Sequence, residues 1–172
     1  MSERPAPRGS VPPDDFRRTL GNFATGVCVV TATDRDSGPV GITVNSFTSL
    51  SLNPPLVLFC LDESSTRYDA FARAHHFTIN VLREDQAGLS MAFASKTHPD
   101  WDGIGYQVSK ASGCPVLDGT LAAIECRRHA MHVEGDHCIL IGEAIRLDAG
   151  TGGYPLLYFD GTYHRIETHG ER

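Results

Sequence analysis

The chain has 172 residues, 41% hydrophobic and 21% charged, which suits one domain with a real core and fits neither a disordered chain nor a fibre. A formal net charge of −6 argues against a nucleic-acid partner, which usually meets a basic face. No apolar run approaches the roughly 20 residues that span a bilayer, and the opening MSERPAPRGSVPPDD lacks the apolar centre of a secretory signal, so no membrane and a cytoplasmic location are expected.

Residues 1–13 carry Pro5, Pro7, Pro12 and Pro13 and are expected to form a flexible arm before a single domain over 14–168, with 169–172 as a tail. Asp14 or Asp15 can cap a helix whose Phe16, Leu20 and Phe23 share a face, ending at Gly26. Val27 to Thr33, VCVVTAT, reads as a strand and DRDSGP as its turn. In GITVNSFTSLSLNPP, Gly41 to Pro55, Ile42 and Val44 alternate with Thr43 and Asn45 as in a half-buried strand. The alternation then breaks into Ser46, Thr48, Ser49 and Ser51 around Phe47. This is either a serine-rich connection or a cradle in which small hydroxyls and backbone N–H groups meet a polar ligand.

Pro55 to Leu61, PLVLFCL, is a continuous apolar run expected to be buried on both faces. Ser64 to Ala74 reads as a short helix, with Ser64, Ser65 and Thr66 at its N-terminus and Arg67 beside them. Those hydroxyls either cap the helix or join its free N–H groups in holding an anion. A strand at His76 to Leu82 and a helix over EDQAGLSMAFAS follow, then a loop, KTHPDWDGIGYQV. Two long strands, TLAAIECRRHAMHV and HCILIGEAIRLD, flank the turn residues EGD; Ile139, Ile141, Glu143, Ile145 and Leu147 share one face of the second. PLLYF and TYHRI around Asp160 and Gly161 give a hairpin signal. The tally of seven or eight strands with two or three short helices, not in strict alternation, predicts a mainly β protein: an antiparallel barrel with helices packed on it.

No Gly-x-Gly-x-x-Gly or Walker-type loop occurs. Five widely spaced cysteines without a Cys-x-x-Cys pair fit neither a disulfide framework nor a zinc knuckle, and they read as small buried hydrophobes. His129, His132, His137 and Cys138 match no ligand spacing, so no metal is expected. His137 is either a hydrogen-bonded surface residue or a donor aimed at a ligand from the barrel rim. Tyr158, Tyr163, His164 and Arg165 are either an aromatic and cationic wall for a nucleotide or the hairpin that closes the barrel.

In order and spacing, FATGVCVVTA, GITVNSFTSLSLNPPLVLFCL, FTINVL, GDHCILIGEA and PLLYFDGTYHRI resemble the flavin reductase family over roughly Phe16 to Ile166. The resemblance implies an FMN-binding split β-barrel, normally a homodimer. It implies hydride transfer from NADH or NADPH to FMN or FAD, with reduced flavin passing by diffusion to a separate flavin-dependent monooxygenase. It assigns Thr43, Val44, Asn45, Ser46, Phe47, Thr48 and Ser51 to the flavin, with Thr43, Asn45 and Ser46 at the ring edge and Thr48 and Ser51 towards the ribityl chain and phosphate. Ser64, Ser65, Thr66, Phe93, Ser95 and Lys96 would lie at the phosphate end. His137 of GDH would position the nicotinamide without acting as acid or base, with Tyr163, His164 and Arg165 closing over it. Phe159 stands where many relatives carry histidine. Three other readings remain: a flavin-binding electron carrier, a pyridoxamine-phosphate oxidase-like enzyme, and a β-barrel interaction module that binds no flavin.

Overall fold

The computed structural model describes residues 11–97, 99–150 and 152–167, so most of the expected arm and the 169–172 tail lie outside the described residues. Pro12 and Pro13 are not part of an arm: Pro12 is the N-cap and Pro13 the first residue of α1 (Pro13–Leu20). Proline suits that position because its missing N–H would have no helical partner there. The helix stops at Gly21, five residues before the expected Gly26, and neither Asp14 nor Asp15 caps it.

β1 (Thr25–Gly26) leads into β2 (Cys28–Asp34) and β3 (Gly38–Val44), an antiparallel pair. β4 (Thr48–Leu52) and β5 (Pro55–Asp62) form the next hairpin, α2 (Tyr68–Arg73) a short helix, and β6 (His76–Val81) a central strand. α3 (Ala87–Ala94) precedes a 3-10 turn at Trp101–Gly103 and the small pair β7 (Tyr106–Val108) and β8 (Pro115–Leu117). The long strands β9 (Ala122–Glu134) and β10 (His137–Ala149) follow, and β11 (Leu157–Phe159) with β12 (Thr162–His164) ends the domain. The last hairpin turns on Asp160 and Gly161, both at positive φ, as a two-residue turn of this twist requires.

Seven strands make one antiparallel sheet in the order β3-β2-β6-β9-β10-β5-β4. Its two edges, β3 and β4, are consecutive in the chain and joined by residues 45–47 alone. Six strand spacings would separate flat edges by about 29 Å, whereas the four Cα steps from Val44 to Thr48 reach at most about 14 Å. The sheet must therefore curl until its edges meet, and no ladder joins β3 to β4 among the described residues. The fold is mainly β, an antiparallel split barrel with a few short helices.

The barrel interior holds Val30, Phe59, Phe71, Phe77, Ile79 and Leu140. Phe59 meets Phe71 and Phe77 edge-to-face at 6.0 and 5.3 Å. Each such fully buried ring stabilises the fold by roughly 1.5–3 kcal/mol. Gly142 on β10 leaves the room Phe77 fills, since a Cβ there would lie 2.7 Å from that of Cys126. A second cluster, with Val27, Val29, Leu82, Phe93, Leu117 and Leu156, covers the outer side of β2, so β2 is buried on both faces, as is the middle of β6. β5 was expected in that role, but its Val57, Phe59 and Leu61 are buried while Leu56, Leu58 and Cys60 are only half-buried. On β10 the inward residues are Cys138, Leu140 and Gly142; Ile139 and Ile141 face out, and a bulge between Ala144 and Arg146 breaks the register before Leu147.

The loop after α3 is pinned by polar groups on β2, β6 and β9. Thr31 Oγ1 donates to the Pro115 carbonyl at 2.5 Å, Asn80 Oδ1 accepts from Leu117 N–H at 2.9 Å, and Ser109 Oγ donates to Glu125 at 2.5 Å. All five cysteines are free, and burial pushes the Cys28 and Cys126 thiols up to about 12. No helix among the described residues is long and apolar enough to cross a membrane.

Candidate functional site

Three segments remote in sequence are tied into one ring at the place where the barrel is split. The ring begins at Ser46, in the three-residue link between the edge strands. Its hydroxyl accepts from Cys60 N–H at 2.9 Å and donates to the Cys60 carbonyl at 3.2 Å, so one side chain replaces the ladder partner that β3 fails to give β5. From Cys60 the chain runs to Asp62, whose carboxylate accepts from Ser64 N–H at 2.7 Å. Thr66 Oγ1 then reaches the Lys96 carbonyl at 3.4 Å, and an Arg67 guanidinium nitrogen donates to the Thr97 carbonyl at 2.8 Å. Residues 95–97 leave the end of α3, and α3 is held to β3 by Thr43 Oγ1, which donates to the Ser90 carbonyl at 2.7 Å. That bond returns the ring to its start.

The expected flavin residues divide into ring face and core. Asn45, Thr48, Ser64, Thr66, Ser95 and Lys96 are exposed on the ring, and Ser51 and Ser65 are partly so. Val44 is buried in the barrel core with Phe47 packed against it. Phe93 is fully buried, meeting Trp101 at 5.1 Å, and lies in the space left by Gly41. The side chains of Val44 and Phe93 therefore hold the elements together and present no surface to a ligand.

The anion site expected at the start of α2 is built differently. Ser64 N–H bonds the Asp62 carboxylate, Ser65 N–H the Asp62 carbonyl, Arg67 N–H the Ser65 hydroxyl and Tyr68 N–H the Ser65 carbonyl. These four N–H groups are spent within the turn and Thr66 Oγ1 is turned to the Lys96 carbonyl, so the groups left there among the described residues are the Thr66 N–H and the Ser64 hydroxyl, with the Arg67 side chain behind them. Arg67 is 3% exposed, and burial lowers its pKa from the ordinary value.

His137 is paired with Asp62 in the β10–β5 register, beside the Ser64 turn. Its Nδ1 lies 2.6 Å from the Asp136 carboxylate, leaving Nε2 as the ring nitrogen free for another partner. The hydrogen bond to His137 holds the Asp136 carboxyl below its usual value; the Asp62 carboxyl is lowered chiefly by its bonds to Ser64 and then by the His137 charge. Tyr163 is half-buried, its hydroxyl 2.8 Å from Ser90 Oγ and its ring edge-to-face with Tyr158. His164 and Arg165 are exposed; His164 Nε2 is 2.8 Å from Thr162 Oγ1, and its ring packs on Phe159 at 5.8 Å.

Sequence reasoning missed Ser90, Cys60 and Asp136 as partners. Ser90 lies on a helix whose amphipathic pattern is almost nil, and the Cys60 contribution is a backbone one that no side-chain pattern reports. Two cavities, of about 340 and 520 Å³, lie outside the ring: one between the β2–β3 turn, α2 and Cys114, the other beside Glu125 and Arg146. No group of three or more His, Cys, Asp or Glu side chains among the described residues is placed to hold a metal ion.

The family model described as "Flavin reductase like domain" matches residues 20–167. The chain belongs to the flavin reductase-like domain family. It is 48% identical over 151 residues to "FMN reductase (NADH) SmoA" of Agrobacterium fabrum, covering 88% of this chain and 84% of that one. It is 42% identical over 156 residues to "Flavin reductase" of Pseudomonas putida, covering 91% of each. Among solved structures, the NADH:FAD oxidoreductase SgcE6 of Streptomyces globisporus, in complex with NAD and FAD fragments, superposes with a TM-score of 0.86 at 33% identity, covering 94% of this chain and 99% of that one. The ring's donor set fits such a cofactor: exposed hydroxyl and amide groups on one arc, and hydroxyls with a buried cation on the other.

Proposed function

We propose that this protein is an NAD(P)H-dependent flavin reductase, which takes hydride from NADH or NADPH onto FMN or FAD and supplies reduced flavin to a separate monooxygenase. The observation that carries the reading is the hydrogen-bonded ring, because it joins every segment that the resemblance assigns to the flavin. The three-residue break between β3 and β4 then has a purpose: it is where edge-strand N–H groups face a ligand rather than another strand.

When bound, the flavin supplies the redox chemistry as hydride acceptor. The chain supplies position. Asn45 and the neighbouring backbone of residues 45–47 offer donors at the ring edge, where they would steady negative charge as it grows. His137, fixed by Asp136, is a positioning group for the nicotinamide, and the β11–β12 hairpin closes over it through His164 and Arg165. Fixed stacking of two bound reactants can remove about 7–11 kcal/mol of the barrier to the bimolecular reaction. No side chain serves as nucleophile.

The functional unit on this reading is a cytoplasmic homodimer. Phe16, Leu20 and Phe23 of the α1 region are 56%, 54% and 74% exposed, and Leu52 on β4 and Leu147 on β10 are 93% and 71% exposed. The half-buried Leu58 and Cys60 of β5 pair with Ile141 and Ile139 of β10 on the sheet's outer face. Large apolar side chains exposed in this number on one chain call for a cover.

The test is loss of nicotinamide absorbance with purified protein, with and without added FMN, FAD and riboflavin. Turnover that depends on added flavin is expected. Flavin binding without oxidation of NADH or NADPH would replace the reductase by a carrier, and failure to bind any flavin would end the reading.

A further inference from the structure

Asp62 stands where two turns meet. It ends β5 directly opposite His137, the first residue of β10. Side chains paired in this way share one face of the sheet, with Cβ atoms about 4.5–5.5 Å apart. One Asp62 carboxylate oxygen accepts from Ser64 N–H at 2.7 Å, and the Asp62 carbonyl accepts from Ser65 N–H at 3.0 Å. Glu63 N–H donates to the Asp136 carbonyl at 3.0 Å, so the turn after β5 and the turn that carries His137 form one unit. The imidazole therefore has two carboxylates as neighbours, Asp136 at Nδ1 and Asp62 across the ladder. Both stay charged at neutral pH, held below the usual carboxylate range chiefly by Ser64 for Asp62 and by His137 for Asp136. No lysine or arginine among the described residues forms an ion pair with either. Two carboxylates against at most one imidazolium leave this place negative.

That sign distinguishes the two forms of a nicotinamide. Hydride leaving NADH carries both electrons of the broken C–H bond to the flavin, and the nicotinamide ring, neutral before, is left with one positive charge. Negative charge fixed beside that ring becomes more stabilising as the transfer proceeds, which lowers the barrier rather than merely tightening binding. We propose that Asp62 is an electrostatic positioning residue of the hydride transfer: one oxygen holds the Ser64 turn, and its charge, added to that of Asp136, favours the cation that the nicotinamide becomes. This rests on the reductase reading, with the nicotinamide at His137.

Asp62→Asn separates the two roles, because its amide oxygen can still accept from Ser64 N–H but carries no charge. The measurements are FMN titration by fluorescence, stopped-flow reduction of the FMN-saturated protein by NADH, and inhibition by NAD+. Asp62→Asn should leave the affinities for FMN and NADH unchanged. It should lower the limiting rate and raise the inhibition constant of NAD+ by about two- to fivefold each, the range of an exposed charge pair. In the native protein at saturating NADH, the limiting rate should fall as ionic strength rises, because salt screens exposed charges; this readout needs no variant. A variant with the native rate and native NAD+ affinity, an equal shift for NAD+ and NADH, a loss confined to FMN, or a native rate indifferent to salt would each overturn the assignment. A native protein that binds FMN but does not pass hydride to it from NADH fails the reductase reading first, and this proposal falls with it.

Discussion

Ser46 does for a broken strand what a neighbouring strand would otherwise do. Its hydroxyl satisfies both the N–H and the carbonyl of Cys60 where the β3 backbone has turned away. Ser46→Ala should leave both groups without a partner and lower stability by about 1–3 kcal/mol, read as a shift of the urea midpoint. Asn45→Ala, at an exposed position with no such bond, should leave that midpoint unchanged and weaken flavin binding instead. A second residue-scale prediction concerns acid. Asp34 closes the β2–β3 turn, and its carboxyl is held down to about 2 by Arg73 first, then by the N–H groups of Ser37 and Asp36. Because the folded value lies below the unfolded one, the contribution is complete above the ordinary carboxylate value. It is lost as pH falls through the folded value. The urea midpoint of the native protein should therefore fall more steeply than that of Asp34→Asn between about pH 4 and pH 2. Parallel curves for the two proteins in that window would remove the role.

At the scale of elements, the closing hairpin is held by α3. The Tyr163 hydroxyl bonds Ser90, which is fully buried, and the Ser90 carbonyl accepts from Thr43 on β3. Tyr163 thus fixes β12 relative to the edge strand. Tyr163→Phe keeps the ring and its contact with Tyr158 but loses this bond. The expected result is a several-fold rise in KM for NADH with FMN affinity unchanged; a parallel loss of FMN affinity would mean that the hairpin belongs to the flavin site itself. The sequence marked these elements unevenly. The Asp160–Gly161 turn was legible because a two-residue hairpin needs positive φ and those residue types tolerate it. β4 was not, because Thr48, Ser49 and Ser51 look like a polar connection until β5 is there to pair with them. The start of α2 was legible only as two alternatives, a cap or an anion site: its serines and threonine suit either, and the structure shows that Asp62 and Ser65 take the N–H groups of Ser64, Ser65, Arg67 and Tyr68.

The whole molecule shows which readings survive assembly. An antiparallel barrel followed from strand count and the lack of βα alternation, and its split form from the family resemblance, but the curl of the sheet depends on β3 and β4 being its two edges, which no local pattern states. The amphipathic run of α1 was also legible, and its partner was not: Phe16, Leu20 and Phe23 share their face with solvent in the single chain. The same holds for Leu147, beyond the bulge that turns the end of β10 away from the core. In a monomer, Leu147→Glu would replace one exposed side chain by another and change almost nothing. In a dimer that covers this surface, it would bury a carboxylate without a partner, a change that costs far more than the apolar contact it removes. Sedimentation velocity should give a dimer for the native protein and a shift towards monomer for Leu147→Glu, with the variant's circular dichroism unchanged. A native monomer would leave the apolar surface for another partner, and a fully dimeric variant would move the interface away from the end of β10.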